Sequence, residues 1–368
     1  MSEAALRTSR REHPVFNRTD RVVEGWYWAL RSDELRRGQV RPLNLMGKEL
    51  AIFRGKGGKV TAIDAYCPHM GAHLAEGRVD GDGLRCFFHH WKFDESGTCV
   101  DVPCQASPPP AKNRTYPVAE HYGMIWLWTG EGEPRALPEV PELAGQATHI
   151  DLGNQFVKNC HPNVVLINAI DAQHFHSVHR IPNVLSFETD EIDERTITVR
   201  NATKFPTTNW FFRQLARFYA NALTYSMTYW NGSTGTVTLG PDFLHFHIMF
   251  ALRMGPGGVA EGQTITVTKK RSGLFGYLFD RIVLFLTTIV GNYFAEGDTR
   301  VFSTIKFDLK TPLKADRAII DFIRHLDRQR CVAWSDATPA GSALADEGAA
   351  KAEVRRLPVV RAAGERSA

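Results

Sequence analysis

Cys67-Pro68-His69-Met70-Gly71 and Cys86-Phe87-Phe88-His89-His90-Trp91 are the two stretches that decide how this chain folds. Each opens on a cysteine followed closely by a histidine, and 16 residues separate His69 from Cys86. Two thiolates and two imidazoles suit either zinc or a [2Fe–2S] cluster. Zinc sites usually pair Cys with Cys and His with His, whereas each pair here is mixed, which favours the cluster. In that reading each pair gives its Cys to one iron and its His to the other. Neutral imidazoles carry less negative charge than thiolates, so the reduction potential rises. Gly71, Gly77, Gly81 and Gly83 suit the tight turns that bring two loops face to face.

A chain of 368 residues predicts two domains, and a hydrophobic content of 43% is ample for their cores. The formal net charge is +4, from 44 Lys and Arg against 40 Asp and Glu. That mixed balance leaves no footprint for nucleic acid. Six cysteines in so long a chain do not make a disulfide framework; Cys99, Cys104, Cys160 and Cys331 read as free thiols. The opening residues show no apolar signal segment, so a reducing, cytoplasmic setting is expected.

Residues 1–20 are polar and basic and read as a loosely held arm. Residues 21–130 alternate short β-rich runs with glycine turns, as in Gly47–Arg54, Lys59–Ile63 and Gly123–Trp128, which predicts a small antiparallel domain. Gly130 to Pro141 reads as the connection. Residues 131–334 then predict a helix near 161–179, strands from 194 to 269, a hydrophobic helix near 274–295, a strand near 301–307 and a helix near 313–329. Strands framed by helices without a βα repeat give an α+β class. The stretch Leu274 to Phe294 is the most hydrophobic. Asp280 and Arg281 interrupt it, so it reads as a buried helix, with a membrane-surface element as the alternative. Residues 335–368 are rich in Ala, Glu and Arg and are expected to be disordered.

Asn168-x-x-Asp171-x-x-His174-x-x-x-x-His179 is the second constellation. On one regular helix Asp171 and His174 share a face, while His179 needs a bend to reach the same metal. His176 would fall on another face. Two histidines and a carboxylate form the facial triad of non-haem Fe(II) oxygenases, with positions left open for dioxygen. Candidates for the carboxylate are Glu296, Asp298, Asp308, Asp316 and Asp321.

Taken together, these motifs resemble the terminal oxygenase component of Rieske non-haem iron systems. The chain is most similar to the branch that includes ketosteroid hydroxylases, O-demethylases and sterol-modifying monooxygenases. It departs from the pattern at Phe87, where proline is usual, and at His90, where glycine is usual. The spacing selects His89 as ligand and leaves His90 as its rival.

The resemblance implies a β-rich Rieske [2Fe–2S] domain held through Cys67, His69, Cys86 and His89. A helix-grip (START-like) catalytic domain would follow. It implies mononuclear Fe(II) on His174 and His179, with Asp171 linking it to the electron supply and Asn168 beside it. The family order places the third ligand after a hydrophobic helix and before a strand. Asp298 fits best there, Glu296 is the runner-up, and Asp308, Asp316 and Asp321 read as solvated charges. A separate reductase, with or without a ferredoxin, and a head-to-tail homotrimer are also implied.

The expected activity is mono- or dioxygenation: hydroxylation or demethylation of a hydrophobic, steroid-like or aromatic substrate. Phe243, Met249 and Phe250 are candidates for an apolar pocket, and His245 and His247 for its lining or for solvent. The alternatives are a lipid or sterol desaturase or oxidase at a membrane surface, and an electron-transfer protein without mononuclear iron chemistry.

Overall fold

The computed structural model describes residues 13–180, 185–203, 214, 217, 224–241 and 243–334. The tail expected from 335 and the first twelve residues of the arm lie outside these. Residues 13–20 are not loose. Val15 and Phe16 are buried in the main core, and their amide groups donate to Oδ1 of Asp327 at 3.1 and 2.9 Å. Two apolar residues in a polar arm were enough to anchor it.

The N-terminal sheets divide by the two-residue period of a strand. Along Lys48–Arg54, Leu50 and Ile52 enter one core with Leu43, Ala62 and Ile125. Ala51 and Phe53 point the other way. They join Leu74, Leu84, Phe93 and the thiols of Cys67 and Cys86 in a second core. That second core carries a four-stranded antiparallel sheet, Arg78–Asp80, Gly83–Arg85, Lys92–Phe93 and Cys99–Asp101, whose loops present the Cys–His pairs.

A seven-stranded antiparallel sheet follows. Its spatial order is Thr148–Lys158, Ala260–Lys269, Phe246–Met254, Thr234–Leu239, Tyr225–Trp230, Thr196–Asn201 and Phe187–Glu191. Alternation again assigns its faces. Met249, Ala251, Ile265 and Val267 pack on Trp26, Trp28, Trp126 and Trp128 of the N-terminal part. Ile248, Phe250 and Leu252 face the helices instead. The sequence reading missed Thr148–Lys158, an edge strand whose half-exposed residues show little apolar alternation.

The expected helix over 161–179 is two helices, α1 (Pro162–Asn168) and α2 (Ala172–Ser177), broken at 169–171. The hydrophobic helix α3 runs from Gly273 to Thr304 and takes in most of the strand expected over 301–307. Val301 to Phe307 alternates like a strand. Phe302, however, is buried against Cys160 and Val164, which rewards the helical conformation. The last expected helix is a short 3-10 turn, Lys314–Asp316, followed by α4 (Arg317–Leu326).

The most consequential difference concerns α3, which was expected to be buried. Its inner face rests on the sheet through Val283, Leu284 and Thr287, but Phe275 is 88% exposed and Phe285 64% exposed.

Candidate metal centres

The loops at residues 67–72 and 86–91 are built alike. The amide of Cys67 donates to the carbonyl of Ala72, and that of Cys86 to Trp91, both at 2.9 Å. Four residues after each cysteine the backbone turns left-handed, at Gly71 (φ 74°) and at His90 (φ 58°). His90 is therefore the turn residue of its loop, in the place that glycine fills in the other. Its carbonyl accepts from Nη1 of Arg85 at 2.6 Å. The rings that meet are those of His69 and His89, with centroids 4.6 Å apart, and Trp91 stacks on His69 at 4.3 Å.

Both thiols are buried while both imidazoles are exposed. Burial, with the adjoining Cys86 thiol, pushes the Cys67 thiol up to about 11. Such a thiol stays protonated at neutral pH until a metal binds and displaces its proton. Two buried sulfurs and two exposed nitrogens fit a two-iron cluster whose imidazole side faces outward.

The second centre is assembled by the break between α1 and α2. Tyr225 and Tyr229, four residues apart on one face of a strand, donate to the carbonyls of Ala169 and Leu166 at 2.7 and 2.8 Å. Burial holds the Tyr225 hydroxyl well above its ordinary range, so it remains a donor. Asp171 caps α2, its side chain accepting from the Gln173 amide at 2.9 Å. Asp171 therefore does not ride the same helical face as His174. Its backbone carbonyl, rather than its carboxylate, accepts from Nδ1 of His174 at 2.6 Å. That bond fixes the tautomer and leaves the Nε2 lone pair free for a metal.

Asn168 Nδ2 lies 3.4 Å from the same Nε2. The chain turns after α2 and returns His179, its ring centroid 5.0 Å from that of His174. Asp298 projects from the inner face of α3, with Oδ1 3.1 Å from Nε2 of His179 and 3.9 Å from Nε2 of His174. The donor atoms of His174, His179 and Asp298 all lie within 4.8 Å of one another, and all three residues are buried. Burial lowers the His179 pKa more than Asp298 raises it, which keeps the ring a neutral donor.

Of the other carboxylates, Glu296 and Asp308 are exposed, and Asp321 pairs with Arg317. Asp316, expected to be a solvated charge, is buried. It accepts from the Leu313 amide at 2.7 Å and from Gln173 Nε2 at 2.9 Å, which ties α2 to the last helix. His176 is exposed.

The sequence reading also missed Gly297. A Cβ there would stand 3.1 Å from Cε1 of His179, so the glycine makes room for that ring. A glycine inside a helical run was the available signal.

Beside the triad lies a cavity of about 660 Å³, lined by Phe156, Val165, Met227, Val237, Ile248 and Phe250. That size and apolar character suit a small organic ligand. Met249 points to the opposite face of the sheet, Phe243 is 73% exposed, and neither His245 nor His247 lines the cavity. His247 is instead buried against Thr238 at 2.9 Å.

Residues 25–120 match the family described as the Rieske [2Fe-2S] domain. Aminopyrrolnitrin oxygenase PrnD of Pseudomonas fluorescens is 35% identical over 199 residues, covering 50% of this chain and 53% of that protein. The oxygenase component of 3-ketosteroid-9-alpha-monooxygenase of Rhodococcus rhodochrous is 31% identical over 168 residues, 43% of each chain. The chain thus spans about half the length, or less, of these curated relatives. The terminal oxygenase of carbazole 1,9a-dioxygenase from Novosphingobium sp. KA1 superposes with a TM-score of 0.65 at 18% identity, over 86% of this chain and 96% of that one. With the Cys–His loops and the seven-stranded sheet behind the triad, residues 25–120 belong to the Rieske [2Fe–2S] domain family, and the chain has the α+β fold seen in the carbazole terminal oxygenase.

Proposed function

We propose that the chain is a terminal oxygenase that inserts oxygen into, or demethylates, a hydrophobic steroid-like or aromatic substrate. The observation that carries this reading is the convergence of His174, His179 and Asp298 beside an apolar cavity. Ferrous iron held by those three side chains would supply the activation of dioxygen, since three protein ligands leave coordination positions open. The chain's own residues do the rest. The Asp171 carbonyl orients His174, Asn168 borders the open side, and the aromatic and aliphatic lining excludes water from the substrate.

Cys67, His69, Cys86 and His89 are assigned to the cluster. Asp171, half-exposed at the start of α2, is assigned the link between the electron supply and the iron site. Electrons would come from a separate reductase, with or without a ferredoxin, docking at the exposed imidazole tip rimmed by Tyr66, Met70, Phe87 and Phe88. A homotrimer that brings one chain's cluster to its neighbour's triad, in a cytoplasmic setting, completes the reading. The names of the two relatives, an aminopyrrolnitrin oxygenase and a 3-ketosteroid-9-alpha-monooxygenase component, support a steroid-like or aromatic substrate.

Asp171→Asn tests this assignment. In the proposed trimer the Asp171 carboxylate would accept from a cluster imidazole of the neighbouring chain, and loss of its negative charge would weaken that bond. Both metals should remain bound, while the reduced cluster persists when mixed with oxygen and a steroid or aromatic substrate. Reoxidation and product yield like those of the wild type would overturn the link, and an iron content of two per chain would overturn the oxygenase reading.

A further inference from the structure

The helix α3 does two things along its length. Its C-terminal half lines the cavity and supplies Asp298. Its N-terminal half shows an apolar face to the outside. Leu274, Phe275, Leu278, Ile282, Phe285 and Ile289 are 48–88% exposed and recur at three- and four-residue spacing, opposite the buried Val283, Leu284 and Thr287. An exposed apolar stripe of this length marks a binding surface.

Along this stretch of chain the exposed charges have one sign. From Lys269 to Ala295 the only acid is Asp280, which is buried and held by Arg271 and His149. Lys269 and Lys270 are exposed at the helix start. Arg281 stands partly exposed beside the stripe, 3.7 Å from Asp151. A basic rim next to large apolar side chains complements anionic headgroups over acyl chains. By length and composition alone the helix could cross a bilayer, but its inner face packs on the sheet through Val283, Leu284 and Thr287 and its far end supplies Asp298, which ties it to the fold along its length.

One and two turns past Ile289 stand Asn292 and Glu296, exposed residues that also line the cavity, so its mouth opens at the end of the stripe.

We propose that the N-terminal half of α3 lies flat on an anionic lipid surface, with its aromatic and aliphatic side chains among the acyl chains and Lys269 and Lys270 at the headgroups. The cavity mouth is then held at the lipid boundary, where an apolar substrate is concentrated. Delivery of substrate rests on the oxygenase reading; lipid binding does not.

The test is co-sedimentation of the full chain, with its cluster, on phosphatidylcholine vesicles with and without about one-third phosphatidylglycerol. The wild type should partition onto the anionic vesicles and less onto the neutral ones. The double variant Phe275→Ser/Phe285→Ser should lose that binding at least tenfold while keeping the visible spectrum of the cluster. Lys269→Glu/Lys270→Glu should lose only the preference for anionic lipid. Absence of wild-type binding to either vesicle, or equal binding by the serine variant, overturns the proposal. So does a wild type that ignores vesicles and a serine variant of lower molar mass in solution, because the stripe would then join copies of this chain. Binding is read without turnover, so its failure is distinct from failure of the oxygenase reading.

Discussion

Nε2 of His179 and Oδ1 of Asp298 are 3.1 Å apart and buried, yet neither atom completes a hydrogen bond. Buried polar atoms are seldom left this way. Two donor atoms each about 2.1 Å from a divalent ion, at right angles, would be about 3 Å apart. The pair aims at a shared point rather than at each other, which is what a metal site requires.

Metal binding should therefore stabilise the fold through Asp298. Anaerobic addition of Fe(II) to metal-depleted protein should raise the melting temperature by several degrees. Asp298→Ala should abolish that shift and Glu296→Ala should keep it. The cluster's absorbance should be unaffected in both. A retained shift in Asp298→Ala with loss in Glu296→Ala would transfer the ligand role to Glu296.

His90 separates the two rival histidines by their backbones. A non-glycine residue in the left-handed region costs about 1 kcal/mol. His90→Gly should thus gain about that much stability in denaturant titrations and keep the Rieske EPR signal. His89→Ala should lose the signal. Loss of the signal in His90→Gly would make His90 the ligand.

Gly297→Ala sets two effects against each other. Alanine in a helix interior is favoured over glycine by about 1 kcal/mol. The new Cβ, however, would press on Cε1 of His179 at 3.1 Å and on Val178 Cγ1 at 3.3 Å. The variant should melt no lower than wild type in the metal-free state but bind Fe(II) about tenfold more weakly, because small displacements of a ligand matter. Unchanged affinity in metal titrations would show that the ring moves aside freely.

His161 should make the fold acid-sensitive. Its Nδ1 accepts from the Asn163 amide at the start of α1, and its Nε2 faces the Arg18 carbonyl at 3.3 Å. Burial lowers its pKa to about 4, against partial compensation from that carbonyl. The unfolded chain takes up a proton near pH 6.5 and the folded one does not, so stability is lost as pH falls through that window. Between pH 7 and pH 5 the loss should be about 2 kcal/mol. His161→Asn keeps a cap without a titrating group. Urea titrations of this variant should lose correspondingly less stability over the same range, and equal slopes would refute the assignment.

What the sequence determined by itself was local. The Cys–His pairs declare their chemistry because each sits in one tight loop. The β runs of the N-terminal part and the α+β class follow from short-range periodicity. Asp298 was reached through its order along the chain, although the boundary used to place it was wrong: α3 continues past it to Thr304. The break between α1 and α2, which brings His179 back to His174, has no strong local signal. It is held by Tyr225 and Tyr229 from a strand more than fifty residues away. The same limit hid the exposure of α3. A helix apolar on most sides reads as buried, and only the sheet decides which face it covers. Close packing between distant segments, rather than any residue's own preference, settled how the triad is assembled and which face of α3 meets the outside.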